Sequence, residues 1–439
     1  MILKEYQFLQ YKYEEKENYV NPKTFEELER FVLDNEETAQ YLKISTKKGY
    51  GKVLQAQNYV GVIQAKDGTT IEILPKILNL ETDKDGVETK KVLIKMLKTL
   101  KDSPFKDFNM ANLQSTKMPL LEIFITMFLK EITLLVQKGI KSDYVIKEDN
   151  LKFLKGKLKI NEQVSKNYIH KERFYVEYQE YTSDRIENRL IKTTLEYLYK
   201  RAKTNNNKKR IREFLFVFDD IKVSHNIKSD FSKVKINRQM KDYTQILLWC
   251  KTFLLANSFS PYKGKDIAFA LLFDMNLLFE SYVLRYLKKV LVHNNVKGQD
   301  KTHHLAYLDG KTAKFLLKPD IVIDNGNIIA DTKWKILSED KTHQGISQGD
   351  MYQLYAYGTK YKKCNYMYLI YPKDSNIDGN SYNYFNSKDE QRLKDELHLN
   401  ILFFDVQKCE FIMNKDYELY RLMDDCSDSS NYENNSNVF

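Results

Sequence analysis

The sequence predicts a multidomain α+β protein. A small β-rich N-terminal module leads into a helical middle with a basic projection, and a C-terminal αβββαβ core on a mixed sheet follows. Three observations point there. The chain has 439 residues, more than one ordinary hydrophobic core accommodates. Only 15 Gly and 7 Pro argue for long regular elements. Strand-like runs fall near both ends, while helical periodicity fills the centre. The expected divisions are 1–118, 119–262, 263–424 and a polar, low-complexity tail at 425–439 that reads as disordered.

Bulk properties narrow the function classes. A hydrophobic fraction of 42% with 13% aromatics excludes a wholly disordered chain, and the net charge of +10 suits a polyanionic partner where Lys and Arg cluster. Cys250, Cys364, Cys409 and Cys426 lie far apart without a CxxC, which argues against a disulfide framework and a zinc site and for a reducing cytoplasm. The histidines include no HExxH, and neighbours such as His303 and His304 face opposite ways on a strand. Lys4 and Glu5 interrupt any signal-like start. The apolar run 119–136 carries Glu122, Lys130 and Glu131, so it reads as a buried helix and no membrane span is expected. There is no GxxxxGK[ST] loop, so any nucleotide-driven movement must come from another protein.

In chain order, Thr24 and Glu27 suggest a capping box before a helix to about Leu33. Runs 59–65 and 69–74 bracket Asp67-Gly68 as a hairpin ended by Pro75. A linker is expected at 81–86, then helices at 92–100 and 119–138, the second stopping near Gly139. The segment 141–173 is densely basic, interleaved with aliphatics and aromatics, and poor in helical period. It reads as an extended or hairpin-like projection, either a solvated ribbon or a contact surface for a partner protein or nucleic acid. Helical patterning returns over 184–202, 211–220 and 243–256, with a basic loop at 203–210 and a boundary at 261–264. A helix over 273–292, a strand at 304–308, a helix over 348–360 and strands at 366–371 and 401–406 complete the C-terminal pattern.

The most informative stretch is 314–335, KFLLKPDIVIDNGNIIADTKWK, two apolar β-branched runs around Asn325-Gly326. Asn-Gly marks a tight hairpin, and counting outward from it sets Asp320 opposite Asp331. Facing residues of this kind hold β-carbons about 4.5–5.5 Å apart, and like charges so placed repel. A divalent metal on hard oxygens is the most economical relief; a shared proton or a slipped register are the others. Lys333 shares the face of Asp331 and could activate water or stabilise developing charge, which suits metal-assisted attack on a phosphodiester. The rival is a solvated surface hairpin, although the acids interrupt otherwise apolar strands. Glu280, beside the buried stripe of its helix, could reach the same metal or pair with a surface cation, while Asp274 suits a cap. Gln353 and Tyr357 share a helix face and could hold the lysine or a phosphate, or simply pack.

Pro319-Asp320, Asp331-Thr332-Lys333, the upstream Glu280 and Gln353-x-x-x-Tyr357 together resemble the PD-(D/E)XK nuclease superfamily with a RecB-like Q-x-x-x-Y. More narrowly, the chain resembles the McrC family, nuclease subunits of modification-dependent restriction systems. The stretches at 59–77, 151–163 and 181–192, with DMNLLFESYV and GDMYQLYAYGTKY, carry that likeness over most of 50–410. The resemblance implies Mg²⁺, or Mn²⁺, on Asp320, Asp331, the Thr332 carbonyl and Glu280, with Lys333, Gln353 and Tyr357 completing the catalytic set. It also implies cleavage of modified double-stranded DNA and docking to a McrB-like AAA+ GTPase hexamer, for which 141–173 is the candidate element. The alternatives are a noncatalytic activator of an AAA+ motor and a freestanding RecB-like nuclease.

Overall fold

The N-terminal strands form two small sheets. β1 (Ile2–Lys4), β2 (Phe8–Leu9), α1 (Pro22–Leu33), β3 (Leu42–Lys47), β4 (Gly51–Ala56), β5 (Tyr59–Gln64) and β6 (Thr70–Leu74) run in order, with β2-β4-β3 in one sheet and β1-β6-β5 in the other. This is a computed structural model, which describes residues 1–33, 40–77, 83, 85–101, 103–106, 118–255, 269–373, 381–383, 397–413 and 415–435. The hairpin of β5 and β6 forms as expected, with Gln64 opposite Thr70. α1 starts on Pro22, which suits the first helical position, and Asn21 caps it by accepting from Thr24 N at 2.8 Å. The capping box expected at Thr24 is thus displaced by three residues, because the Thr24 hydroxyl is taken by Asp67 and Glu27 accepts from Lys66 N.

The middle contains α2 (Val87–Leu97), α3 (Leu120–Lys138), β7 (Asp143–Leu151), β8 (Lys157–Leu158), α4 (Ile160–Lys166), β9 (Phe174–Thr182), α5 (Ile186–Tyr199), α6 (Asn205–Val217), α7 (Ile227–Lys233) and α8 (Lys241–Leu254). Among the described residues no helix is long and apolar enough to cross a membrane. α3 is buried along most of its length and ends at Gly139, φ 89°. Its Glu122 is buried yet satisfied, accepting from Thr204 Oγ1 and Asn207 Nδ2 at 2.7 Å each. Those bonds anchor the first turn of α6, so the loop expected at 203–210 is helical from Asn205 onward. The basic segment is a ribbon: β7 and β9 pair antiparallel from Asp143↔Thr182 to Leu151↔Phe174, with β8 and α4 against one end. At its root Arg189 holds Asp184 through two 2.7 Å bonds, and buried Asn188 donates to the carbonyls of Lys141 and Ser183.

The C-terminal part holds β10 (Phe269–Asp274), α9 (Met275–Val290), β11 (Val296–Gly298), β12 (His304–Leu308), β13 (Thr312–Leu316), β14 (Ile321–Ile323), β15 (Ile328–Thr332), α10 (Gln348–Lys360), β16 (Tyr366–Pro372), β17 (Ser381–Asn383), β18 (His398–Asp405), β19 (Glu410–Ile412) and α11 (Glu418–Asn435). β10 pairs antiparallel with β5 and so completes the sheet of β1 and β6. The main sheet runs β11-β14-β15-β16-β18-β17, with β19 on β18; β15, β16 and β18 are parallel and the other pairings antiparallel, so it is mixed.

Two expectations are corrected here. The strand at 304–308 forms, but among the described residues it pairs only with β13, as a separate hairpin whose Tyr307 and Phe315 are exposed, and β11 takes the place beside β14. The stretch 425–435, expected to be disordered, continues α11, which is anchored by buried Leu419 and Cys426 against the core. One core runs from Val60 and Leu93 through Phe124 and Trp249 to Phe279, Ile328 and Phe404, crossing all three sequence divisions. A second, with Leu354, Tyr357, Met367 and Leu399, lies under α10. The boundary at 261–264, and much of the linker at 81–86, lie outside the described residues.

Candidate active site

The site grows from the turn between β14 and β15. Asn325 (φ 55°, ψ 32°) and Gly326 (φ 99°) adopt the left-handed pair that tight hairpins favour. A Cβ on Gly326 would also lie 2.7 Å from Tyr361 Cδ1. The ladder pairs Ile323 with Ile328, Val322 with Ile329 and Ile321 with Ala330, the register read from the sequence. One further step aligns Asp320 with Asp331. Asp320 sits just ahead of β14, and its Oδ2 accepts from Thr332 N at 2.8 Å and Thr332 Oγ1 at 2.7 Å.

Asp331 and Thr332 are the buried last residues of β15, and Lys333 extends the parallel ladder by donating its N–H to Ile370 O at 2.9 Å. Lys333 Nζ lies 2.6 Å from Asp331 Oδ2 in an ion pair. The ammonium also donates to Gln353 Oε1 at 3.0 Å, and Gln353 Nε2 donates to Tyr357 OH at 2.7 Å. Gln353 and Tyr357, one turn apart on α10, therefore form a relay that fixes the lysine. From the opposite flank α9 brings Glu280, whose Oε2 accepts from Gln299 Nε2 at 3.2 Å. Asp274 caps α9 by accepting from Asn276 N at 2.8 Å.

The electrostatics are those of crowded acids. Burial first and the Asp320 charge second push both Asp331 and Glu280 up to about 7. Burial also raises Asp320 against the opposing Thr332 hydrogen bonds and the lysine charge. Burial alone would lower Lys333, but the Asp331, Asp350 and Asp320 carboxylates together outweigh it and the ammonium is held above its usual range. The three acids thus destabilise one another's ionised forms, and the ammoniums of Lys333 and Lys318 relieve only part of that.

Two contributors escaped the sequence reading. Asp350 Oδ1 lies 3.7 Å from Lys333 Nζ, and its place three residues before Gln353 on one helix face was the available signal. Gln299 steadies Glu280 and has no local signature, since only tertiary folding brings it there. A divalent metal would find hard oxygens here, on Asp320, Asp331 and Glu280. Asp331 Oδ2 is buried and carries the Lys333 ammonium at 2.6 Å, so a metal there would share that oxygen with the lysine. Among the described residues no three acidic, imidazole or thiolate groups close around one point; Lys333 is the group against Asp331.

Fold and site together define an α+β protein with a two-carboxylate, one-lysine centre at the end of a mixed sheet between two helices. The chain belongs to the McrBC 5-methylcytosine restriction system component family, whose model matches residues 54–372. It is similar in fold to a chain of the half-complex from the tetradecameric assembly of Thermococcus gammatolerans McrB AAA+ hexamers with bound McrC. There the TM-score is 0.67 at 21% identity, over 98% of this chain and 99% of that one. A chain of the cryo-EM Thermococcus gammatolerans McrBC complex aligns with a TM-score of 0.50 at 23% identity, over 70% of this chain and 89% of that one. No curated protein matches the chain.

Proposed function

We propose that the chain is the McrC-type nuclease subunit of its restriction system, a cytoplasmic endonuclease of PD-(D/E)XK type that hydrolyses DNA phosphodiesters in modified duplex. The observation that carries this reading is the meeting of Asp320, Asp331 and Lys333 where the start of β14 meets the end of β15, with Glu280 electrostatically linked from α9. Asp320, Asp331, Glu280 and the Thr332 carbonyl would hold Mg²⁺ or Mn²⁺. Such an ion, when bound, would supply Lewis-acid chemistry toward a phosphoryl oxygen and a water. Lys333, always charged beside Asp331, stabilises negative charge developing on phosphorus or orients the attacking water. Gln353 and Tyr357 keep the lysine from swinging away, and Thr332 fixes the Asp320 carboxylate through two hydrogen bonds.

The partner is proposed from family membership: a McrB-like AAA+ GTPase hexamer would supply movement along DNA. The ribbon of β7–β9 is the proposed docking element. Its end presents Phe153, Leu154, Ile160, Tyr168 and Ile169, all more than half exposed, among lysines. The test is Mg²⁺-dependent cleavage by the full chain with its partner. Lys333→Ala should abolish cutting while the partner's GTP hydrolysis is still stimulated. Loss of both activities in a folded variant would contradict the separation of roles.

A further inference from the structure

A cleft of about 340 Å³ lies by the N-terminus, but a much larger one of about 740 Å³ opens on Glu280 itself. It lies between the segment following α2 and one face of α9. Lys101, Lys106, Arg285, Lys288 and Lys301 line it, so five cations face the single carboxylate of Glu280. We propose that this cleft seats the DNA strand flanking the scissile phosphate, its cations taking backbone phosphates along that strand. This rests on the nuclease reading above and adds the strand's path to it.

The geometry of α9 supports the assignment. Glu280, Leu284 and Lys288 recur every four residues on one stripe, with Arg285 beside it. At about 1.5 Å rise per residue, Arg285 and Lys288 stand about 7.5 and 12 Å along the axis from Glu280. A DNA strand advances about 3.4 Å per nucleotide, so these positions correspond to sites roughly two and four nucleotides away. The side chains of Arg285, Lys288, Lys101 and Lys301 are exposed, which keeps them hydrated and available. Lys98, at the end of α2, is pushed down by burial and then by the Arg285 charge. A polyanion between the walls meets the lining cations Lys101, Lys106, Arg285, Lys288 and Lys301 at several points at once. The other anionic occupant, an acidic protein surface, would have no reason to be aimed at Glu280 and the buried acids behind it.

The test measures binding of a 5-methylcytosine-containing duplex oligonucleotide to the full chain by fluorescence anisotropy, across a salt series in chelator. Each phosphate contact contributes about 0.9 to the slope of log K against log salt. Arg285→Gln/Lys288→Gln should lower that slope by about 1.8, and Lys101→Gln/Lys301→Gln, on the loop wall, should do likewise if the helix variant folds poorly. Lys43→Gln/Lys48→Gln, an equal charge change on the N-terminal sheet, should leave it unchanged. An unchanged slope in both cleft variants overturns the proposal. So does loss of partner association with DNA binding intact, which would mark an acidic protein surface, and so does absence of DNA binding by the unsubstituted chain. Cleavage that survived Asp331→Asn would instead remove the nuclease reading, and the slopes would still report on the cleft.

Discussion

Trp334 donates its indole N–H to both carboxylate oxygens of Glu5, at 3.1 and 2.9 Å, across 329 positions of chain. Lys76 completes the clasp, its backbone N–H reaching Glu5 Oε2 at 2.9 Å and its ammonium reaching Trp334 O at 3.1 Å. The indole also packs against Phe279, with ring centroids 5.3 Å apart. Trp334 follows Lys333 in sequence, and Phe279 precedes Glu280. The N-terminal strands therefore grip the neighbours of two site groups.

Removing that grip has a defined cost. Trp334→Phe keeps the ring but leaves the buried Glu5 carboxylate short of a donor, a loss of about 1–3 kcal/mol in chemical denaturation. DNA cleavage should fall as well, although no residue of the acid–lysine centre is changed.

The same carboxyl makes stability depend on pH. Burial pushes Glu5 up to about 7 despite the Lys76 charge and the Trp334 hydrogen bond. The unfolded chain releases that proton near 4.5, so between about 4.5 and 7 the folded state binds more protons and stability falls as pH rises. For a shift of this size the loss is on the order of 3 kcal/mol. Asp331 and Glu280, also raised to about 7, act in the same direction. Thermal melts of metal-free protein should decline across this window, Glu5→Gln should flatten part of the decline, and Mg²⁺ should restore stability at the upper end.

The relay on α10 should matter for rate more than for stability. Gln353→Ala frees the Lys333 ammonium from its 3.0 Å acceptor, and a displaced catalytic group can lower the rate by about 100-fold. Tyr357→Phe removes only the partner of Gln353 and should have a smaller effect. Single-turnover cleavage at saturating DNA separates the two.

Gly61 joins the two ends of the chain. Its φ is +141°, and a Cβ there would lie 2.0 Å from Leu271 O of β10. Gly61→Ala should destabilise the protein by about 3 kcal/mol, read as a lower denaturant midpoint, by prising β5 from β10.

Much of the site was legible because it is local. Asn325-Gly326 between β-branched runs determines a register, and that register aligns Asp320 with Asp331. Gln353 and Tyr357 were legible through helical spacing. The clasp of Glu5, Lys76 and Trp334 was not, since nothing in a short window distinguishes a buried Glu5 from a solvated one. β12 looked like a sheet strand because alternation does not reveal the pairing partner. The tract 203–210 looked like a loop because its helix depends on Glu122, in another helix, holding Thr204 and Asn207. Leu419, Leu422, Met423 and Cys426 anchor α11, but the polar residues around them dominate its composition.

The most direct measurement is cleavage of 5-methylcytosine-containing duplex DNA by the Asp331→Asn chain, assembled with the proposed McrB-like partner in Mg²⁺ and GTP. The account expects cutting to disappear while the partner's GTP hydrolysis stays stimulated and the chain stays folded. Cutting at the unsubstituted rate would contradict it.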